Sequence, residues 1–146
     1  MSNLEPVADK KILDCLNKIF RKEMAGIHRY LHYSFMVMGH NRIPIQKWFR
    51  DKANENMMHA IVIGEKITAL GGHPSLESAA VPETKSHLID DILKESYDFE
   101  KDALQDYIEL VKLSADDIAL DEMAREFVRQ ETEHLEEVAK MIRKNK

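Results

Sequence analysis

The stretch RQETEHLEEV, residues 129–138, decides how this chain folds. Its Glu131 and His134 are three residues apart, so on an α-helix they lie about 60° apart on one face and can reach the same point. Leu135 and Val138 lie around His134 at helical spacing. The stretch therefore predicts a helix that carries a carboxylate and an imidazole on its apolar side.

Three other stretches carry related side chains within long helical patterns: LNKIFRKEMAGIHRYLHY at 16–33, ANENMMHA at 53–60 and FEKDALQDY at 99–107. Glu23 precedes Tyr30 by seven residues, and Glu100 precedes Tyr107 by the same distance, so the two halves of the chain repeat a similar order. Seven residues span about 10 Å of helix. We therefore expect Tyr30 to stand near the carboxylate of Glu23 without being forced beside it.

Glycine and proline fall almost entirely outside the periodic stretches and divide the chain into four predicted helices, at 9–39, 44–71, 85–113 and 115–143. Each is far longer than the roughly 11 to 12 residues of an average helix, which fits a bundle. The middle connection, GHPSLESAAVPETK, is long and contains two prolines, whereas the other two are short. Two short turns and one long crossover are typical of a ferritin-like four-helix bundle. We predict an all-α fold with one domain in 146 residues.

The charged residues on these helices form a recognisable ligand set. One carboxylate from each of two helices, with a carboxylate and an imidazole from each of the other two, is the ligand set of a two-iron carboxylate site. A single glutamate on a helix is usually a surface charge. Glu23, however, lies between Ile19 and Ile27 on an apolar stripe, where a charge is not left unpaired. Carboxylates and imidazoles also suit iron in both oxidation states.

Composition excludes several other classes of protein. The formal net charge of −5 argues against nucleic acid as a partner, because phosphate binding needs a concentrated basic face. Cys15 is the only cysteine, which excludes a disulfide framework, a CxxC motif and a four-cysteine iron site. No apolar run reaches the roughly 18 residues that a membrane helix needs. We expect a cytoplasmic protein that binds neither nucleic acid nor membrane.

Over about residues 8–144 the chain resembles bacterioferritin, the haem-containing branch of the ferritin superfamily, and the four stretches quoted above carry this resemblance. The resemblance implies a ferroxidase centre that oxidises Fe(II) with O₂ or H₂O₂ and feeds an iron store. It implies that Tyr30 donates or relays an electron. It also implies these metal ligands: terminal carboxylates at Glu23 and Glu100, a bridging carboxylate at Glu131, and imidazoles at His59 and His134.

One position departs from that family pattern. The family has a bridging glutamate three residues before the first histidine, and here that place holds Asn56, with Glu55 one residue earlier. Either Glu55 reaches the metals, helped by a local π-bulge, or Asn56 supplies at most a neutral oxygen and the first iron site is weak or vacant. We predict Glu55 as the ligand, because the remaining carboxylates would otherwise be less well neutralised.

Met57 precedes His59 by two residues and points about 200° away from the metal face, onto the outside of the bundle. By itself this indicates a packing methionine at an interface. The resemblance implies more: a methionine here, one from each of two subunits on a two-fold axis, supplies both axial ligands of a haem. Apolar residues also cover more than one face of the first two helices, which predicts an oligomer.

The resemblance also implies a hollow homo-oligomeric cage built from two-fold dimers, with an electron-donor protein for iron release. Bacterioferritins form twenty-four-subunit cages with a short fifth helix, whereas this sequence ends at Lys146. We therefore favour twelve subunits over twenty-four. Two alternative functions remain open: a haem-binding or structural cage subunit whose iron site is degenerate at Asn56, and a DNA-protecting mini-ferritin.

Overall fold

The computed structural model describes residues 9–144. Four α-helices and no strand occur in this range; the helices are α1 (Lys10–Met36), α2 (Arg42–Ala69), α3 (Ile89–Leu113) and α4 (Ile118–Ile142). The chain divides into two compact units, Met1–Glu83 and Thr84–Lys146, which we call the first and second units. Each unit is a pair of packed helices, α1 with α2 and α3 with α4. None of the described helices has the length and apolar character that crossing a membrane requires.

Each helix buries one stripe of residues spaced alternately by about three and four, the spacing that keeps a single face toward a packed neighbour. We call these stripes the seams. On α1 the seam is Ile19, Glu23, Gly26, Tyr30 and Tyr33, followed by Val37 just after the helix, and on α2 it is Phe49, Ala53, Asn56, Ala60, Ile63 and Ile67. On α3 it includes Leu93, Ser96, Glu100, Tyr107 and Leu110, and on α4 it is Leu120, Ala124, Phe127, Glu131, His134 and Val138. Charged residues thus lie at buried positions that normally hold an apolar side chain such as leucine.

A short turn makes α1 and α2 antiparallel neighbours. Gly39 takes a positive φ of 101°, which glycine adopts without steric strain. The guanidinium of Arg42 donates hydrogen bonds to the carbonyl oxygens of Phe35 and Val37, which satisfies acceptors at the end of α1. On the facing helices, the Arg50 Nε donates to the hydroxyl oxygen of Ser34 over 3.2 Å.

The helix bounds differ from the predicted ones by three residues or more at three ends. α1 ends at Met36, three residues before the predicted end, because Val37 already has extended backbone with ψ of 127°. α3 begins at Ile89 rather than near residue 85, because the Ser86 hydroxyl binds the Asp91 carboxylate and the backbone N–H of Leu88. α4 begins at Ile118, because the Asp117 side chain accepts the backbone N–H of Leu120 as an N-cap.

The long connection after α2 is attached to α1. Gly71 has a φ of 83°, and the N–H of Gly72 donates to the carbonyl of Ile67 over 2.8 Å, which ends α2 in a Schellman motif. The side-chain amide of Asn17 on α1 then forms hydrogen bonds with two backbone groups of the connection. Its Nδ2 donates to the His73 carbonyl over 3.1 Å, and its Oδ1 accepts the Ser75 N–H over 2.8 Å.

Replacing Asn17 with alanine should destabilise the chain, because both of these backbone groups lose their partner. Two hydrogen bonds at roughly 0.5 to 1.5 kcal/mol each predict a loss of about 1 to 3 kcal/mol in the free energy of unfolding. Urea denaturation followed by circular dichroism measures it. Lys10→Ala, which removes an exposed ion pair with Asp14 on the same helix, is the control and should change stability by less than about 1 kcal/mol. Equal effects of the two substitutions would show that Asn17 does not hold the connection.

Candidate metal centre

In the first unit, the seams of α1 and α2 bring two predicted ligands together. Glu23 lies in the middle of α1 with only 4% of its side chain exposed, and its Oε2 lies 3.6 Å from Nδ1 of His59 on α2. That separation is too long for a hydrogen bond. It does suit two atoms that share one cation, since ligand atoms about 2.1 Å from one transition metal lie roughly 3 to 4 Å apart.

Asn56 is the third member of this group. Its Nδ2 donates a hydrogen bond of 2.7 Å to Oε2 of Glu23, the same oxygen that faces His59. If the amide oxygen took that place, it would face the carboxylate oxygen of Glu23, and two acceptors cannot form a hydrogen bond. The amide therefore points its N–H group at Glu23. Gly26, on the α1 seam, makes room for it: a Cβ at Gly26 would lie 2.5 Å from Nδ2 of Asn56.

Glu55 does not join this group, and the prediction that it faces the metals is wrong for this structure. Its side chain is 54% exposed and forms an ion pair of 3.0 Å with Lys52. The reason is geometric. α2 is α-helical throughout Arg42–Ala69, without a π-bulge, so Glu55 and Asn56 point about 100° apart. Asn56 has the seam position, and Glu55 lies outside it.

In the second unit, Glu100 on α3 and both Glu131 and His134 on α4 are buried, each exposed by less than a tenth. Glu131 and His134 lie on one face of their helix, as their spacing predicts. Next to them on the α4 seam, the ring of Phe127 stacks on Tyr107 of α3, with 4.9 Å between ring centroids. The burial of these three residues means that their stripes are indeed the packed faces of the helices.

Tyr30 is buried in the first unit, whereas Met57 is exposed at its surface. Tyr30 is 1% exposed and packs in an aromatic cluster, stacked on Phe49 at 5.9 Å and edge-on to Tyr33 at 6.0 Å between ring centroids. Met57 is 46% exposed and lies on the outer side of α2. It borders a surface groove of about 410 Å³, which we call the outer groove, lined by Phe20, Met24, Ile27, Met57, Ala60, Ile61, Gly64, Glu65, Thr68 and Pro74.

Sequence reasoning missed three buried residues. Gly26 had a detectable signal, because a glycine inside a helix costs about 1 kcal/mol relative to alanine and usually has a packing reason. Arg29 and Asp106 are charged residues exposed by only 7% and 5%. Helical spacing gave no signal for them, because neither occupies the seam pattern that identified the ligands.

A family profile described as a ferritin-like domain matches residues 13–146. The chain belongs to the ferritin-like family. Its fold is the all-α four-helix bundle of that family, as predicted from the helix lengths and the long crossover. The resemblance to bacterioferritin is also confirmed at the level of family and structural neighbours.

Three solved structures show the same fold. A ferritin-like, diiron-carboxylate protein from Bacillus anthracis str. Ames is 23% identical, with a TM-score of 0.87 over 92% of this chain and 96% of that chain. Rhodobacter capsulatus bacterioferritin, described with a metal-free dinuclear site and haem iron, is 25% identical, with a TM-score of 0.83 over 93% and 86%. Chlorobium tepidum ferritin is 22% identical, with a TM-score of 0.84 over 93% and 85%. Among curated proteins, none matches this chain.

The donor chemistry of this ferritin-like chain fits iron. Glu23, Glu100 and Glu131 carry hard oxygen donors, and His59 and His134 carry imidazole nitrogens, and these donor types suit both Fe(II) and Fe(III). All three carboxylates are almost fully buried. Buried charges in proteins are paired or bind metals, because removing an ion from water carries a large free-energy cost. Asn56 is the member of the group whose chemistry departs from a carboxylate site.

Alanine at Gly26 should displace the Asn56 amide and break its hydrogen bond to Glu23, since the new Cβ would overlap the amide. Gly64 is a matched control on α2, because a Cβ there would make an ordinary contact of 3.4 Å with the ring of Phe20. Gly64→Ala should gain up to about 1 kcal/mol of stability from helix propensity. Gly26→Ala should lose about 1 kcal/mol or more, because a buried hydrogen bond is broken.

Denaturant unfolding measures both variants, and the side-chain NH₂ resonance of Asn56 in an NMR spectrum reports its displacement directly. An unchanged Asn56 resonance in Gly26→Ala, together with a gain in stability equal to that of Gly64→Ala, would contradict the steric argument.

Proposed function

We propose that this chain is a cytoplasmic ferroxidase and iron-storage subunit, in which buried carboxylate and imidazole side chains hold the Fe(II) that is oxidised to Fe(III). The observation that carries this proposal is the burial of carboxylate and imidazole donors on the seams of α1, α3 and α4, with His59 beside Glu23. Ferritin-like membership supports the same conclusion, and one family profile across both units supports a single functional domain.

Two Fe(II) ions would be bound. Glu23 and His59 would hold an ion in the first unit, and Glu100 and His134 would hold an ion in the second. Glu131 would supply a further carboxylate, the bridging ligand that the resemblance to bacterioferritin implies. Glu55 is left out of the set, because it pairs with Lys52 at the surface.

Two Fe(II) ions supply one electron each. With uptake of two protons, these electrons reduce H₂O₂ to two waters or reduce O₂ to H₂O₂. Reduction by two electrons at once releases no one-electron radical. The buried carboxylates stabilise the charge that each ion gains on oxidation, because attraction between opposite charges is stronger away from bulk water. Fe(III) then moves to the cage interior as mineral.

Tyr30 is proposed as an auxiliary electron donor. Its position two helical turns after Glu23 on the α1 seam supports the role, as does its 1% exposure. When Tyr30 gives one electron to the O₂ or H₂O₂ that is being reduced, its phenolic O–H bond breaks and the proton is taken up by the reduced oxygen. The ring stacked on Phe49 lies in an apolar cluster, which keeps water from the oxidised ring.

A haem between two copies of the chain is the second part of the proposal, with Met57 of each copy as axial ligand. The outer groove supports it, because its lining is apolar apart from Glu65 and Thr68, and because Met57 is exposed there. A methionine thioether is an established axial ligand of haem iron. The haem would carry electrons inward from a donor protein and so release stored iron.

The same surface supports assembly into a cage of two-fold dimers. Large apolar side chains that are exposed among residues 9–144 lie mainly in the first unit, including Met24, Phe35, Met57, Met58 and Ile61. In the second unit they are limited to Leu88 and Ile118, at the starts of helices. Exposed apolar surface of this extent marks an interface. The particle mass in solution distinguishes twelve copies from twenty-four.

Asn56 also supports a second candidate function. A neutral amide in the place of a bridging carboxylate is what a haem-binding or structural cage subunit with a degenerate iron site would show. Anaerobic titration with Fe(II) separates the two functions, because a ferroxidase subunit binds two ions and a degenerate one binds one or none.

Removing donors from the second unit should slow iron oxidation. Glu131→Ala and His134→Ala should each lower the rate of Fe(III) formation by more than about tenfold, since even outer-sphere partners of a metal are worth about 10- to 100-fold. Stopped-flow absorption after mixing Fe(II) with O₂ or H₂O₂ gives the rate. Glu55→Gln, an exposed position outside the centre, is the control and should keep the full rate. Unchanged rates in both test variants would refute the ferroxidase proposal.

Purified protein reconstituted with haem should show a sharp Soret band at about one haem for every two chains. Each haem iron would take one axial methionine from each of two copies. Met57→Leu should abolish the band, because leucine lacks the thioether. Met58→Leu, which changes the neighbouring exposed methionine, should keep it. A Soret band retained in Met57→Leu would exclude Met57 as the ligand and leave the ferroxidase proposal intact.

A further inference from the structure

Two arginine side chains of α2, Arg42 and Arg50, converge on one acceptor atom beside the turn that joins α1 to α2. The side-chain oxygen of Gln46 accepts a hydrogen bond of 2.7 Å from Nη2 of Arg42 and one of 3.2 Å from Nη2 of Arg50. If the NH₂ group of Gln46 took that place, it would face two donors, so the amide oxygen points there. Two positively charged groups thus share a single neutral acceptor.

Other contacts hold both guanidinium groups in place. Nη1 of Arg42 donates to the carbonyl oxygens of Phe35 and Val37 at the end of α1. Nε of Arg50 donates to the hydroxyl oxygen of Ser34, and the guanidinium carbon of Arg50 lies 5.6 Å from the centroid of the Phe35 ring. Both groups are therefore positioned before a ligand arrives, which lowers the entropic cost of binding one.

These two arginines lack a counter-charge. Within residues 9–144, neither forms an ion pair with a carboxylate. The first turn of α2 holds no acidic residue, and Asp51, next to Arg50 in the sequence, pairs with Lys47 over 2.8 Å. On α4, by contrast, Arg125 binds a carboxylate directly. Like charges that are held close together without a counter-charge create a positive potential that attracts an anion.

From these contacts we propose that Arg42 and Arg50 form a binding site for inorganic phosphate, and that the Gln46 oxygen takes the place of one phosphate oxygen when no anion is bound. Guanidinium groups suit this ligand, because their planar N–H donors match the oxygens of a phosphate group. Arg50 is exposed and Gln46 is half-buried, so phosphate can reach the site from solvent. The site uses none of the proposed iron ligands and does not rest on the proposed function.

Gln46 is the exchangeable member of the site. Its side chain is long and lies partly in solvent, so it can rotate away when an anion arrives. Hydrogen bonds between two ionised groups then replace hydrogen bonds to a neutral amide, and the former are shorter and stronger. A carboxylate at position 46 would supply the missing negative charge permanently. Such a chain should no longer need phosphate at this site.

Calorimetric titration of the whole protein with inorganic phosphate tests the proposal. Iron is first removed with a chelator, because Fe(III) also binds phosphate, and the buffer contains no other oxyanion. The natural chain should bind one phosphate per chain. Arg50→Gln should weaken binding by about tenfold or more, as expected when a hydrogen bond between charged groups is lost. Arg125→Gln, which removes the same charge from α4, is the control and should keep the affinity.

Two variants of Gln46 keep both arginines and so cover the case in which an arginine variant does not fold. Gln46→Glu should abolish phosphate binding, because its carboxylate occupies the site. Gln46→Ala should bind phosphate at least as tightly as the natural chain, because the competing amide oxygen is gone. In thermal unfolding, phosphate should raise the melting temperature of the natural chain and leave that of Gln46→Glu unchanged, since a ligand stabilises only the state that binds it.

Three results would overturn the proposal. The first is a natural chain that binds no phosphate, and the second is equal weakening by Arg50→Gln and Arg125→Gln, which would indicate a general effect of net charge. The third is full phosphate affinity in Gln46→Glu, which would place the anion elsewhere. A double-stranded DNA oligonucleotide that binds through Arg50 when free phosphate does not would also overturn it, because the ligand would then be nucleic acid.

Discussion

The burial of carboxylates on packed helix faces is the constraint on which the rest of this structure depends. Glu23, Glu100 and Glu131 occupy seam positions where an apolar side chain would normally stabilise the core. A charged side chain is tolerated at such a buried position only if its charge is neutralised or hydrogen-bonded. That requirement explains why an imidazole lies near Glu23 and why one follows Glu131 by one helical turn. It also links fold and function, because the donors that the core must neutralise are the donors that a metal centre needs.

Much of the fold could be predicted from the sequence, because four unusually long periodic stretches leave few alternatives. The least accurate boundaries were those set by side chains rather than by periodicity. Ser86 and Asp117 bind nearby backbone N–H groups and so delay the starts of α3 and α4. Spacing alone does not reveal which of several polar residues before a helix will act in this way.

For the candidate site, the sequence predicted some residues well and left others undecided. Helical spacing identified Glu23, Glu100, Glu131 and His134 as residues on apolar stripes, and all four are buried. It did not decide between Glu55 and Asn56, and the need to neutralise the carboxylates favoured Glu55. A local π-bulge would have helped Glu55 to reach the metals, whereas α2 keeps its α-helical turn and leaves Glu55 with Lys52. The seam spacing of Phe49, Ala53 and Asn56 would have placed Asn56 on the buried face.

The close approach of Gly26 to Asn56 has a consequence for how this chain can evolve. The two positions are epistatic, because the volume available at one depends on the side chain at the other. A lineage that replaces Gly26 with alanine must also shrink or reorient residue 56. The bulk of the amide therefore keeps glycine at position 26, independently of any selection on metal affinity.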